Sequence, residues 1–101
     1  MTWYKGSKGA VNLLSNAMAV ELGPDGIRVN AFCPVIGETA LLEFFMGVPD
    51  TRANRAKFSA TIPLGRVSKP PDVAAATVFL TSAAACFMSG IEFPVDGART
   101  V

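Results

Sequence analysis

The chain has 101 residues, half of them hydrophobic and 17% charged, with nine Lys+Arg against eight Asp+Glu and no His. That is too apolar for a disordered chain and long enough for at most one small domain. A net charge of +1 leaves no basic stripe for nucleic acid, and the lack of His excludes Ser-His and Cys-His catalysis and any His-bearing zinc site.

The first segment, Trp3 to Leu22, is helical in pattern. Val11, Leu14, Met18 and Leu22 recur at spacings of three and four, with Ala10, Ala17 and Ala19 between them. Gly23 and then Pro24 follow as a helix stop, and Pro24-Asp25-Gly26 reads as a tight turn. Ile27 to Cys33 is short, rich in β-formers and bounded by Gly26 and Pro34, so it reads as a strand. Pro34 to Thr39 is a loop. A short helix over 40–46 ends at Gly47, and a second over 51–60 is capped by Asp50 or Thr51 with Phe58 on its inner face. This long stretch without a strand suggests an excursion facing a substrate.

Ser68-Lys69-Pro70-Pro71-Asp72 has the features of a helix start, with Ser68 a candidate cap. The helix over 71–83 is apolar nearly all round from Val73 to Ala83, which predicts burial, within the fold or against another subunit. Ile91 to Val95 is a last strand, closed by Asp96-Gly97. Two strands need a wider sheet to cover their faces, so the pattern is that of the C-terminal part of a larger α/β sheet. Cys33 and Cys86 lie in apolar neighbourhoods and are expected to be buried thiols of a cytoplasmic protein, although the sequence leaves a disulfide between them open. No apolar run approaches the roughly 20 residues needed to span a membrane.

Tyr4 and Lys8 stand four apart at the start of the first helix and share a face. An ammonium beside a phenol favours the phenolate, whose ordinary pKa is about 10, and so suits the phenol to proton transfer. A surface Tyr and Lys at a frayed helix start would have the same spacing.

The surrounding residues carry a resemblance. Tyr4-Lys5-Gly6-Ser7-Lys8-Gly9-Ala10-Val11 is similar to the Y-x-x-S-K-x-A-v segment of the short-chain dehydrogenase/reductase family. Ala19-Val20-Glu21-Leu22-Gly23 resembles its A-x-E-L-g helix end, and Ile27-Arg28-Val29-Asn30-Ala31 with Pro34 its I-R-V-N-x-x-x-P strand and loop. Pro63-Leu64-Gly65-Arg66 with Pro71-Asp72-Val73-Ala74, then Phe79-Leu80-Thr81-Ser82, Ser89-Gly90 and Val95-Asp96-Gly97, resemble its closing motifs in order.

The resemblance implies a Rossmann-like domain with a seven-stranded parallel sheet. It implies hydride transfer between NAD or NADP and a small alcohol or carbonyl compound. On that basis Tyr4 is the acid/base, and Lys8 tunes it and binds the nicotinamide ribose. Pro34, Val35, Gly37 and Thr39 line the cofactor, although Thr39 could equally cap the helix that follows. Residues 38–62 form a lid, with Leu41, Leu42, Phe44, Phe45 and Met46 facing substrate or packing on the sheet. No metal is implied, and a homo-oligomer, dimer or tetramer, is.

Two departures stand out. The family loop is P-G-x-[VI]-x-T, but Val35 occupies the glycine position and Gly37 comes two residues later, which predicts a different loop path. The glycine-rich T-G-x-x-x-G-x-G turn that cradles pyrophosphate has no counterpart. The upstream catalytic Ser is also missing. The 101 residues are thus expected to be the C-terminal portion of one such domain and inactive alone. The competing expectation is a non-catalytic oligomerisation or interaction module.

Overall fold

Helix α1 (Thr2–Leu22) ends where the sequence sets its stop. Gly23–Asp25 tightens into a 3-10 turn, and Gly26, at φ 73°, returns its amide to the Gly23 carbonyl at 2.9 Å. This computed structural model describes residues 2–101, and the remaining elements are β1 (Ala31–Pro34), α2 (Leu42–Met46), α3 (Arg52–Ser59), α4 (Pro70–Thr81) and β2 (Glu92–Val95). The architecture is α/β, with one two-stranded sheet of order β1-β2. Among the described residues no helix is long and apolar enough to cross a membrane. The chain divides into two compact units. One runs to Phe32 and takes in Val78–Phe93; the other comprises Cys33–Thr77 and Pro94–Val101.

In the first unit the strand begins at Ala31, four residues later than the sequence predicts. The reason lies in residues 27–30, whose partners are irregular. Val29 N donates to the Ser89 hydroxyl at 3.2 Å, and Val29 O accepts from Gly90 N. The Asn30 side chain bridges Met88 O and Ile91 N. The parallel ladder opens only with Ala31 N donating to Ile91 O at 2.9 Å, and Phe32 and Phe93 meet edge to face across it.

Helix α1 turns an unexpected side to this unit. Asn12 and Asn16 donate to the Glu92 carboxylate, and Ala19 lies against Gly90. The stripe of Val11, Leu14 and Met18 is 44–61% exposed. Leu13 and Val20, seven residues apart and so on a shared face well away from that stripe, are 72% and 79% exposed. Two apolar stripes are therefore open, and the polar side packs. In this unit Leu80 and Ala85 are buried. The expected all-round burial of α4 does not hold, because Val78 is 69% and Phe79 42% exposed. The cysteines are also not buried as predicted: both carry thiols, Cys33 half-buried and Cys86 exposed.

The second unit has its own small core of Leu42, Ile62 and Val67. Val35 N continues the parallel ladder to Val95 O, and a parallel bridge joins Gly37 to Ser68. Thr51 caps α3 by accepting from Asn54 N, so Thr51 is the cap and Asp50 is not. Gly47, at φ 69°, ends α2 as expected. α4 is capped differently from the sequence reading. Asp72 accepts the Lys69 amide, while the Ser68 hydroxyl lies 3.4 and 3.3 Å from the Val35 and Ile36 carbonyls.

After β2 the buried Asp96 gathers a turn. Its carboxylate accepts from Ala98 N and Thr100 N, each at 2.9 Å, and from the Thr100 hydroxyl. Gly97 (φ 64°) and Ala98 (φ 69°) both take left-handed backbone there. A Cβ at Gly97 would stand 2.7 Å from Ile62 Cγ2, whereas one at Gly47 meets open space. Gly47→Ala should cost about 1–2 kcal/mol from the backbone alone. Gly97→Ala adds a clash with the core and should cost at least about 1 kcal/mol more. Urea unfolding midpoints compare the two, and equal losses would contradict the close packing of Gly97 on Ile62.

Candidate functional site

The residues singled out by sequence fall in both units. Tyr4 and Lys8 belong to α1 in the first. One turn of helix brings the Lys8 ammonium over the Tyr4 ring, 5.6 Å from its centroid. At that distance the cation interacts with the ring face. Tyr4 is 47% exposed, and the Ser7 hydroxyl returns to the Tyr4 carbonyl at 2.8 Å, which stiffens the turn between them.

The loop after β1 belongs to the second unit. Pro34, Val35, Gly37 and Thr39 together line an open cavity of about 390 Å³, whose other wall is Ser68 to Pro70 with Val73 and Ala74 of α4. The structure accounts for the displaced glycine. Val35 sits beside β2 with its amide bonded to Val95 O, in backbone that a β-branched residue adopts freely. Gly37 does not use left-handed backbone. It leaves room for Ser68, because a Cβ there would approach Ser68 Oγ to 3.2 Å, a tight contact. Glu38 N donates to Ser68 O at 2.8 Å and Ser68 N to Ile36 O at 3.3 Å, closing the loop against residue 68. Thr39 bonds locally: its hydroxyl accepts from Leu41 N at 3.3 Å, in the turn that delays the start of α2 to Leu42.

The five apolar residues expected to face substrate or pack on the sheet separate. Leu42 is 2% exposed and packs in the core, Phe45 and Met46 are half-buried, and Leu41 is exposed. Phe44 is exposed too, edge to face with Phe45. None of them lines the loop cavity.

Two features went unread in the sequence. Ser68, which reads as a helix cap, is the buried partner of the loop. The second is a charge cluster. Arg55 of α3 holds Asp50 through Nε and Nη2 and reaches Glu38 through Nη1. The Asp50 to Arg55 spacing could have suggested the local pair, but nothing in the sequence links residues 38 and 55. A second cavity, of about 370 Å³, is lined by Arg66 and Asp72 and by the Asp96 turn. Arg66 and Asp72 make a two-bonded pair, at 2.6 and 2.8 Å.

Comparison with known proteins places the chain. The family model described as enoyl-(acyl carrier protein) reductase matches residues 1–99. A 4-formylbenzenesulfonate dehydrogenase of Comamonas testosteroni is 48% identical over 101 residues, covering all of this chain and 40% of that protein. A meso-2,3-butanediol dehydrogenase of Serratia marcescens is 42% identical over 98 residues, covering 97% of this chain and 37% of the relative. The crystal structure of a 3-ketoacyl-(acyl-carrier-protein) reductase from Brucella melitensis, complexed with NADH, superposes with a TM-score of 0.87 at 43% identity, over 99% of this chain and 38% of that one. The chain belongs to the short-chain dehydrogenase/reductase family. It spans about 40% of the length of the relatives it matches.

The carboxylates of this chain carry a pH signature. Hydrogen bonds from Arg66, then from the Lys69 amide, hold Asp72 far below the ordinary 3.8. The Thr100 hydroxyl lowers Asp96, and Arg55 lowers Asp50. With folded values depressed, the unfolded chain takes up protons first on acidification. The stabilising contribution is complete above about pH 4 and is lost as pH falls through the folded values. Asp72→Asn should flatten the dependence of stability on pH below about pH 4, read from denaturation midpoints. An unchanged acid limb would contradict the Arg66–Asp72 assignment.

Proposed function

We propose that these residues are the C-terminal part of an NAD(P)-dependent oxidoreductase acting on a small alcohol or carbonyl compound. The observation that carries this reading is the Tyr4–Lys8 pair, one turn apart on α1 with the ammonium over the ring. Family membership and the fraction of the relatives' length that the chain spans support it.

The residues present fit the nicotinamide end of such a cofactor. The loop cavity of about 390 Å³ has Gly37 and Thr39 in its wall, residues that bring backbone polar groups and a hydroxyl. The cofactor supplies or accepts the hydride when bound. In reduction the Tyr4 phenol gives its proton to the carbonyl oxygen while hydride reaches the carbonyl carbon, which becomes an alcohol. In oxidation the phenolate takes the alcohol proton back. Lys8 offers three donors one helical turn from Tyr4, and its task is to hold the ribose hydroxyls and stabilise the phenolate. Pro34 and Val35 give the loop an apolar wall for the nicotinamide ring. The sequence contains no glycine-rich phosphate turn, so residues 1–101 alone should bind dinucleotide weakly and turn nothing over.

The open stripes on α1 and the exposed Val78 and Phe79 of α4 favour a covered setting, within a larger domain and a homo-oligomer. The two thiols, with Cys86 exposed, suit a reducing cytoplasmic compartment.

In the full-length protein, Tyr4→Phe should lower kcat by at least about 100-fold with melting unchanged, since it deletes one hydroxyl. Retention of most turnover by this variant would remove Tyr4 from the chemistry. For residues 1–101 alone, a fluorescence titration should detect no micromolar NAD(P)H binding; saturation in that range would overturn the reading that the phosphate cradle lies elsewhere.

A further inference from the structure

Glu38 occupies the loop position between Gly37 and Thr39, both of which line the cavity. Its backbone is fixed on one side, through the amide bond to Ser68 O. Its carboxylate points to the other. Oε1 accepts from Arg55 Nη1 at 2.5 Å, and Oε2 lies 3.9 Å from Lys69 Nζ. Arg55 already has a counter-ion in Asp50, which takes both Nε and Nη2. The local pair alone balances the guanidinium, so the bond to Glu38 adds something other than charge balance. It joins the ends of an excursion, residues 38–55, that contains α2 and is anchored beneath by the 2%-exposed Leu42. The two ends are thus tied by a planar donor that uses one edge on each.

The burial of these side chains sets how strong the tie is. Arg55 and Glu38 are each 38% exposed and Asp50 is 30% exposed. Partly wet ion pairs contribute little to global stability and exchange readily with water and salt. Such a contact suits a clasp that opens and recloses better than it suits a rivet.

We propose that Glu38 is a positioning residue: through Arg55 it clasps helix α3 to the Pro34–Thr39 loop and so sets the seating of the loop that contacts ligand. Its consequence for catalysis rests on the oxidoreductase reading above, but the clasp itself does not.

Amide hydrogen exchange on the full-length protein tests the clasp directly. Glu38→Gln keeps the shape and removes the charge, and Arg55→Lys keeps the charge and removes the fork. Both should speed exchange at Glu38–Met46 by about fivefold or more, leaving α1 and β2 within twofold. Asp50→Asn, which breaks only the local pair, should leave the loop amides near wild type. Unchanged exchange in Glu38→Gln, or acceleration spread evenly along the chain, would overturn the proposal.

Steady-state kinetics provide the second measurement. Glu38→Gln should raise KM for cofactor or substrate by about threefold or more with kcat within twofold, a split that general destabilisation does not produce. Loss of kcat at unchanged KM would count against a positioning role. If the wild type shows no turnover but the exchange pattern holds, the clasp stands and the oxidoreductase reading falls.

Discussion

The close approach of Gly37 to Ser68 is the constraint on which the second unit depends. Two strands end near each other and the chain must then leave the sheet without abandoning its backbone polar groups. It does so by pairing the loop with residue 68 in a parallel bridge, flanked by Glu38 N to Ser68 O and Ser68 N to Ile36 O. A side chain at position 37 would stand in the way of the serine hydroxyl. Because Ser68 is also the residue just before the turn into α4, the seam fixes where that helix starts. Both cavities of this unit share Ser68 and Val35 as wall. The loop's path and the start of the helix are thus tied together by one backbone seam at Gly37 and Ser68, which also borders both cavities through Ser68.

Much of this was legible in the sequence where punctuation is strong. Gly23-Pro24 and Gly47 stop their helices where the residues say they should, and the Pro-rich start of α4 falls within one residue of its expected place. What stayed hidden was long-range. The strand begins at Ala31 because the side chains of Ser89 and Asn30 take over the hydrogen bonds that a ladder would otherwise make. Local β propensity cannot anticipate such competition. Ser68 reads as a cap because serine caps helices, but Asp72 captures the Lys69 amide first. The site divides in the same way. That Tyr4 and Lys8 meet follows from spacing, since a helix brings positions four apart together, but what singled them out was the resemblance carried by the residues around them. The tie between Glu38 and Arg55 spans 17 residues of chain and has no periodic trace.

Helix α1 shows that an apolar stripe need not be the face that packs within its own unit. Val11, Leu14 and Met18 do form a stripe, but the unit packs on Asn12, Asn16 and Ala19 instead. Asn16 Oδ1 is left buried without a hydrogen-bond partner, so even the packed side is imperfectly satisfied. A helix with apolar stripes on separate faces is built to stand between two layers. The Tyr4–Lys8 pair at its N-terminal end would then be carried on a rigid, doubly covered rod.

The turn at Asp96–Thr100 has an evolutionary consequence. Ala98 holds left-handed backbone with a Cβ, and the Asp96 carboxylate keeps it there by accepting its amide. Alanine and glycine codons differ by a single base. One point change at position 98 would relieve the backbone without altering any side-chain contact beyond a methyl group. The lineage thus keeps a short mutational path to a steadier fold, open to selection whenever an advantageous but destabilising change arises elsewhere in the chain.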